Sequence, residues 1–225
     1  MKRLLAAAIA AALLLSGCTS ASRPAESAPP TGTPSPSPTP VVTPTPEPEP
    51  ADGELVLVRD YIPGIFIDLK YATTDNFTGR VIYDSDEAYL RYGTVKKLLC
   101  AQNELSGRGL SLKIWDAYRP VSAQFKLWEI CPNPVYVSDP NNGYSKHSRA
   151  NTVDITLVTD TGKSIPMPSG FDDFTSLADR DYSDVSDEAA ENARLLENVM
   201  VENGFVPYSG EWWHYSDSVA YDVYG

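Results

Sequence analysis

Glu211-Trp212-Trp213-His214-Tyr215 and Ser145-Lys146-His147-Ser148-Arg149-Ala150-Asn151-Thr152-Val153-Asp154 hold the two histidines of this 225-residue chain, one in each stretch. Each histidine has a carboxylate at short spacing: Asp154 follows His147 by seven residues, and Glu211 precedes His214 by three. Thr152 to Val158 alternates and is rich in β-branched residues, so Asp154 is expected on a strand. The plain alternative is one core and one surface histidine. Both, however, sit in polar and aromatic clusters rather than on apolar faces. Imidazole plus carboxylate, with one position open for water, is the usual donor set of a catalytic zinc. Three ligands from His147, Asp154 and His214 would leave Glu211 as general base on the metal-bound water. Spacing alone leaves a second set open, with Glu211 on the metal and Asp154 structural.

Ser-x-His-x6-Asp followed by Glu-x-Trp-His resembles the zinc D,D-peptidases of bacterial cell-wall metabolism, which have the hedgehog/DD-peptidase fold. The form Glu-Trp-Trp-His-Tyr is similar to that of VanX-type D-alanyl-D-alanine dipeptidases. Lys70-Tyr71-Ala72-Thr73-Thr74-Asp75-Asn76-Phe77-Thr78-Gly79, Trp115-Asp116-Ala117-Tyr118-Arg119-Pro120 and Phe171-Asp172 also match, in the family's order, across roughly residues 55 to 216. The resemblance implies one zinc per chain on His147, Asp154 and His214, with Glu211 as base. It implies that Arg119 stabilises the negative charge of the tetrahedral intermediate. It implies that Asp172, with Tyr71 and Ser145, receives the ammonium end of a small D-alanyl peptide. One departure is visible. Gly and a small residue usually stand between the family's His and Asp, and this chain has Ala150 and Asn151, which should bend the approach to the strand.

Two other function classes fit parts of the pattern. A wall-binding relative without catalysis would have no need of Glu211 beside three ligands. A two-His-one-carboxylate iron site usually has a tighter His-x-carboxylate spacing than seven residues. Within the peptidase class the alternative is a D,D-carboxypeptidase that trims stem peptides. The formal net charge of −12 repels phosphate backbones and argues against nucleic acid. Nothing in the sequence points to an oligomeric state.

Lys2 and Arg3, then twelve residues from Leu4 to Leu15 that are all Leu, Ala or Ile, form a secretory signal over residues 1–17. Leu15-Ser16-Gly17-Cys18 resembles a bacterial lipobox, which implies lipidation of Cys18 and anchoring to the extracytoplasmic face of the cell membrane. Residues 18–53 follow as the lipidated N-terminus and linker, and eleven of the nineteen prolines lie between 19 and 53. Such a segment buries no core and favours an extended tether.

The enzyme domain is then expected over residues 54–225, as a small α+β fold with helices outside an antiparallel sheet. Strands are expected over Glu54–Asp60, Ile65–Tyr71, Leu110–Trp115, Thr152–Val158, Phe205–Tyr208 and Trp212–Tyr215, with a hairpin turn at Asp160–Lys163. Helices are expected over Thr94–Leu105, from Pro120 to about Ile130, and from a Ser186 cap to about Asn203. In an alternating strand Trp212 and Trp213 point to opposite faces, so that at most one lines the site. Cys100 and Cys131 lie on helices flanking one strand. Outside the cytoplasm they are expected to pair as a disulfide, against the alternative of two free buried thiols.

Overall fold

The structure, a computed structural model, describes residues 48–225. The signal segment, Cys18 and most of the proline-rich tether lie outside the described residues. The fold is α+β and is built on one five-stranded sheet, in the order β2-β4-β5-β7-β6. Its members are β2 (Phe66–Ile67), β4 (Leu110–Asp116), β5 (Thr152–Thr159), β6 (Phe205–Tyr208) and β7 (Glu211–Asp217). All neighbours are antiparallel except the short edge strand β2, which runs parallel to β4. The central strand β5 is buried along nearly its whole length. Val153, Ile155 and Leu157 join the hydrophobic core, while Thr152, Asp154 and Thr156 are buried polar residues. A strand covered on both faces is where an apolar run is expected.

Helices α2 (Tyr92–Ser106) and α4 (Asp187–Glu202) pack on this sheet. The former lies against β4, the latter against β5, β6 and β7, and the two touch each other. Leu98 and Leu105 of α2 and Leu196 and Met200 of α4 are fully buried. The start of α4 follows its sequence signal: the Ser186 side chain accepts from the Ala189 N–H, and Asp187 and Glu188 lie in the first turn. The shorter α3 (Val121–Ile130) begins just after Pro120.

Several boundaries differ from the expected ones. The first strand stops early: β1 covers only Leu55–Leu57 and pairs with β3 (Tyr89–Arg91), making a separate two-stranded sheet. The chain then turns into the one-turn helix α1 (Val58–Tyr61), with the Val58 N–H bound to the Ala88 carbonyl. In the expected strand Ile65–Tyr71 only Phe66 and Ile67 find a partner, and the chain tightens into a 3-10 turn over Lys70–Ala72.

The expected disulfide is absent: Cys100 is exposed, Cys131 is half-buried, and both are free. Sharing a strand does not make two helices neighbours. The packing partners of α2 are α1, α4 and the strands, and α3 is not among its principal contacts.

Candidate active site

Register brings the first groups together. In β4, β5 and β7 the residues Asp116, Asp154 and His214 lie opposite one another across the sheet, at the spacing where cross-strand side chains touch. His147 comes from a 3-10 turn, Lys146–Arg149, that feeds β5. The Ser145 hydroxyl caps this turn by accepting from the His147 N–H at 3.3 Å. Ala150 closes it in the left-handed conformation, φ 59°. Glycine takes that conformation freely, whereas alanine is strained there by about 1 kcal/mol. Ala150 and Asn151 are buried, and the Asn151 amide donates to the Val219 carbonyl. Neither lines the cleft, so the departure from the family pattern falls on backbone strain behind His147.

His147 Nδ1 lies 2.9 Å from the Ala117 carbonyl oxygen, which makes it the protonated nitrogen. Its Nε2 lone pair then faces Asp154 Oδ2 at 3.3 Å and His214 Nδ1 at 3.4 Å. His214 Nδ1 is also 2.9 Å from Asp154 Oδ1. These three residues offer ligand atoms that all lie within 4.8 Å of one another. Burial would raise the Asp154 pKa, but the two imidazoles hold it well below the usual carboxylate range. Burial would lower that of His147, yet Asp154 and Asp116 hold it above its ordinary value. Two imidazole nitrogens and a carboxylate oxygen, with the outer nitrogen of one ring tied to a carbonyl, fit a metal ion.

Glu211 stands beside this trio, with Oε2 3.4 Å from His214 Nδ1. Burial, and then the Asp154 charge, raise its pKa, while both histidines and Arg119 pull the other way.

Arg119, almost fully buried, also lines the cleft. Its Nε and Nη2 donate to Asp116 Oδ2 at 3.2 and 2.6 Å, and its Nη1 donates to Gln124 Oε1 at 2.9 Å. A guanidinium has about five N–H donors, so the fork keeps unused donors toward the cleft. The guanidinium lies over the Tyr71 ring, 5.0 Å from its centroid. The Tyr71 hydroxyl donates to Asp172 Oδ2 at 2.7 Å. Asp172 has a left-handed backbone, φ 52°. Burial pushes its pKa up to about 7, helped by the Asp154 and Glu211 charges and opposed by the Tyr71 hydroxyl and Arg119. Tyr136, on the loop before His147, lines the cleft and lies against Phe174, ring centroids 4.4 Å apart and planes tilted by 36°.

The eight residues named from sequence, Tyr71, Arg119, Ser145, His147, Asp154, Asp172, Glu211 and His214, all line one cleft of about 210 Å³. The tryptophans do not. Trp212 and Trp213 are both buried, and their rings pack edge to face at 5.5 Å instead of on opposite faces. Sequence reasoning also passed over Asp116. It is fully buried and accepts from the Tyr83 hydroxyl at 2.5 Å and from Arg119, with His147 Nδ1 3.6 Å away. Its position three residues before Arg119 in a matching block was the available signal.

A buried donor trio, an adjacent carboxylate and a partly free guanidinium across a small cleft make the equipment of a hydrolase. The chain belongs to the Peptidase_M15 family, described as D-ala-D-ala dipeptidase, whose profile matches residues 51–222. It is 39% identical over 162 residues to a D-alanyl-D-alanine dipeptidase of Escherichia coli strain K12, covering 72% of this chain and 83% of that protein. A D-alanyl-D-alanine dipeptidase of Enterococcus faecium is 35% identical over 176 residues, covering 69% of this chain and 87% of the relative. A solved structure described as VanYB in complex with D-Alanine-D-Alanine aligns at a TM-score of 0.41 and 17% identity, over 60% of this chain and 75% of that one. That last likeness is too loose to add to the fold or the site.

Proposed function

We propose that the chain is a zinc-dependent dipeptidase that hydrolyses free D-alanyl-D-alanine at the extracytoplasmic face of the membrane. The observation that carries this reading is the convergence of His147 Nε2, Asp154 and His214 Nδ1 with Glu211 beside them and Arg119 and Asp172 in the same cleft. His147, Asp154 and His214 would hold the ion. Zinc held there would supply a water acidified to near neutral pH and Lewis-acid polarisation of a carbonyl. The chain's own groups do the rest. Glu211 takes a proton from the attacking water and returns it to the leaving amine. Arg119, held in place by Asp116 and Gln124, turns its free N–H groups toward the carbonyl oxygen as negative charge grows there. Asp172, presented by Tyr71, receives the substrate's ammonium.

Metal analysis tests the ligand set. The purified protein should contain one zinc per chain, and His147→Ala and His214→Ala should lose it. Stoichiometric zinc retained in His214→Ala would overturn the assignment.

The location rests on the Leu15-Ser16-Gly17-Cys18 pattern and the tether behind it. Among the described residues no helix is long and apolar enough to cross a membrane. The anchor proposed is a lipid on Cys18, from the resemblance of its surroundings to a lipobox. Cys18→Ala should move the protein from the membrane to the soluble fraction with its activity intact. Continued membrane association would call for another anchor. Outside the cytoplasm the dipeptide would come from wall-derived D-alanyl peptides.

A further inference from the structure

Glu211 and His214 are three residues apart on β7, and in a regular strand such residues point to opposite faces. Here both reach the same cleft. The strand pairing shows how. On the β6 side the register jumps from Pro207↔Tyr215 to Tyr208↔Glu211, leaving Trp212, Trp213 and His214 opposite nothing. On the β5 side the ladder ends at Asp154↔His214. Trp212 and Trp213 are therefore paired on neither side, and the strand bulges between Glu211 and His214. The edge-to-face contact of Trp212 with Trp213 is a product of the same bulge. A bulge of this size leaves backbone carbonyls without ladder partners, and buried carbonyls need donors.

Arg180 supplies them. Its Nε donates to the Tyr208 carbonyl at 2.7 Å, and its Nη2 donates to the carbonyls of Glu211 and His214 at 3.0 and 3.2 Å. Its Nη1 donates to Glu197 Oε2 on α4 at 2.9 Å and to the Tyr215 hydroxyl at 3.1 Å. The guanidinium lies over the Tyr215 ring, 4.6 Å from the centroid. Every N–H of the fork has an acceptor. The side chain stands in for the missing stretch of partner strand and binds the carbonyl at each end of the bulge. Arg180 does not line the cleft.

We infer that Arg180 is a positioning residue that sets the placement of the Glu211 carboxylate relative to His214 by clamping the backbone carbonyls of both. This rests on the roles proposed above for Glu211 and His214. Lysine is no substitute, because its ammonium is a point donor and cannot span three carbonyls and two side chains. Displacing a catalytic group by about 1 Å can cost about 10²-fold in rate. The residues proposed to receive the substrate, Asp172, Tyr71 and Ser145, make no hydrogen bond to this clamp. Loosening it should therefore act on kcat rather than on KM.

The test uses Arg180→Lys and Arg180→Ala in the full zinc-loaded protein. Arg180→Lys should fold, lose tenfold or more in kcat on D-Ala-D-Ala, and keep KM within about threefold. Guanidinium chloride at millimolar concentration should restore part of kcat to Arg180→Ala, and sodium chloride at equal ionic strength should not. A second readout needs no activity: the amides of Trp212 to Tyr215 should exchange hydrogen faster in Arg180→Lys than in the unaltered protein. This readout separates failure of the clamp from failure of the proposed reaction. Wild-type kcat with unchanged exchange at those amides would overturn the inference, as would a loss confined to KM.

Discussion

Glu211→Gln should keep one zinc per chain and lose at least about 10²-fold in kcat on D-Ala-D-Ala, the lower end of the usual range for a general base. Glutamine preserves the size of the side chain and its place beside His214, 3.4 Å away in the native protein, but cannot take up a proton. The trio proposed to hold the metal, His147, Asp154 and His214, does not include Glu211, so metal content should survive. The surroundings suit a base that must also release its proton. Burial and the Asp154 charge raise the affinity of Glu211 for a proton, and two imidazoles with Arg119 restrain the rise. If Glu211 were instead a ligand and Asp154 only structural, Glu211→Gln would lose zinc and Asp154→Asn would not. The two variants measured side by side thus separate the two sets that sequence spacing leaves open. Activity of Glu211→Gln close to wild type would assign the base elsewhere.

What could be read from the sequence followed from where the information lies. The periodicity of α2 and α4 and the β-branched run of β5 are local, and each appears within a few residues of its expected place. His147, Asp154, Glu211 and His214 could be picked out because their types and spacing carry chemistry, whereas Arg119, Asp172, Tyr71 and Ser145 are named through the resemblance to the D,D-peptidase motifs. What stayed hidden depends on partners that a sequence does not mark. Asp116 reads like a surface acid until the sheet buries it beneath Arg119. Arg180 binds three backbone carbonyls, and any residue type offers a carbonyl. The short strand β2 has only two residues, and its parallel pairing is set by the chain's return along β4. The Cys100–Cys131 bridge failed for a related reason. Adjacency in sequence was taken for adjacency in space, while α2 packs beside α4. The tryptophan pair broke the alternation rule because the strand bulges there.

Free D-Ala-D-Ala should be cleaved at least about 10²-fold more efficiently, in kcat/KM, than N-acetyl-D-Ala-D-Ala. The expected difference follows from the role proposed for Asp172, which is half-buried and bound by the Tyr71 hydroxyl. An ammonium paired with this carboxylate compensates a charge that is otherwise costly to hold in the cleft, whereas an acetylated amine leaves it uncompensated. A pair of that kind is worth a few kcal/mol when one partner is lost, and each 1.4 kcal/mol or so is about a decade. The preference should also depend on pH in a defined direction. Asp172 is pushed up to about 7, so its charged form grows as pH rises through that value, and the free dipeptide gains relative to the acetylated one. Above about 8 the substrate's α-amino group loses its own proton, and the ratio should fall again. The ratio of the two kcat/KM values is therefore bell-shaped in pH, even though zinc-linked ionisations common to both substrates cancel from it. Asp172→Asn should flatten the bell and narrow the gap, slowing the free dipeptide and removing the uncompensated charge that disfavours the acetylated one. Equal kcat/KM on the two substrates across this range would replace the dipeptidase reading with that of a D,D-carboxypeptidase, and would leave the roles of the ligand trio and Glu211 untouched.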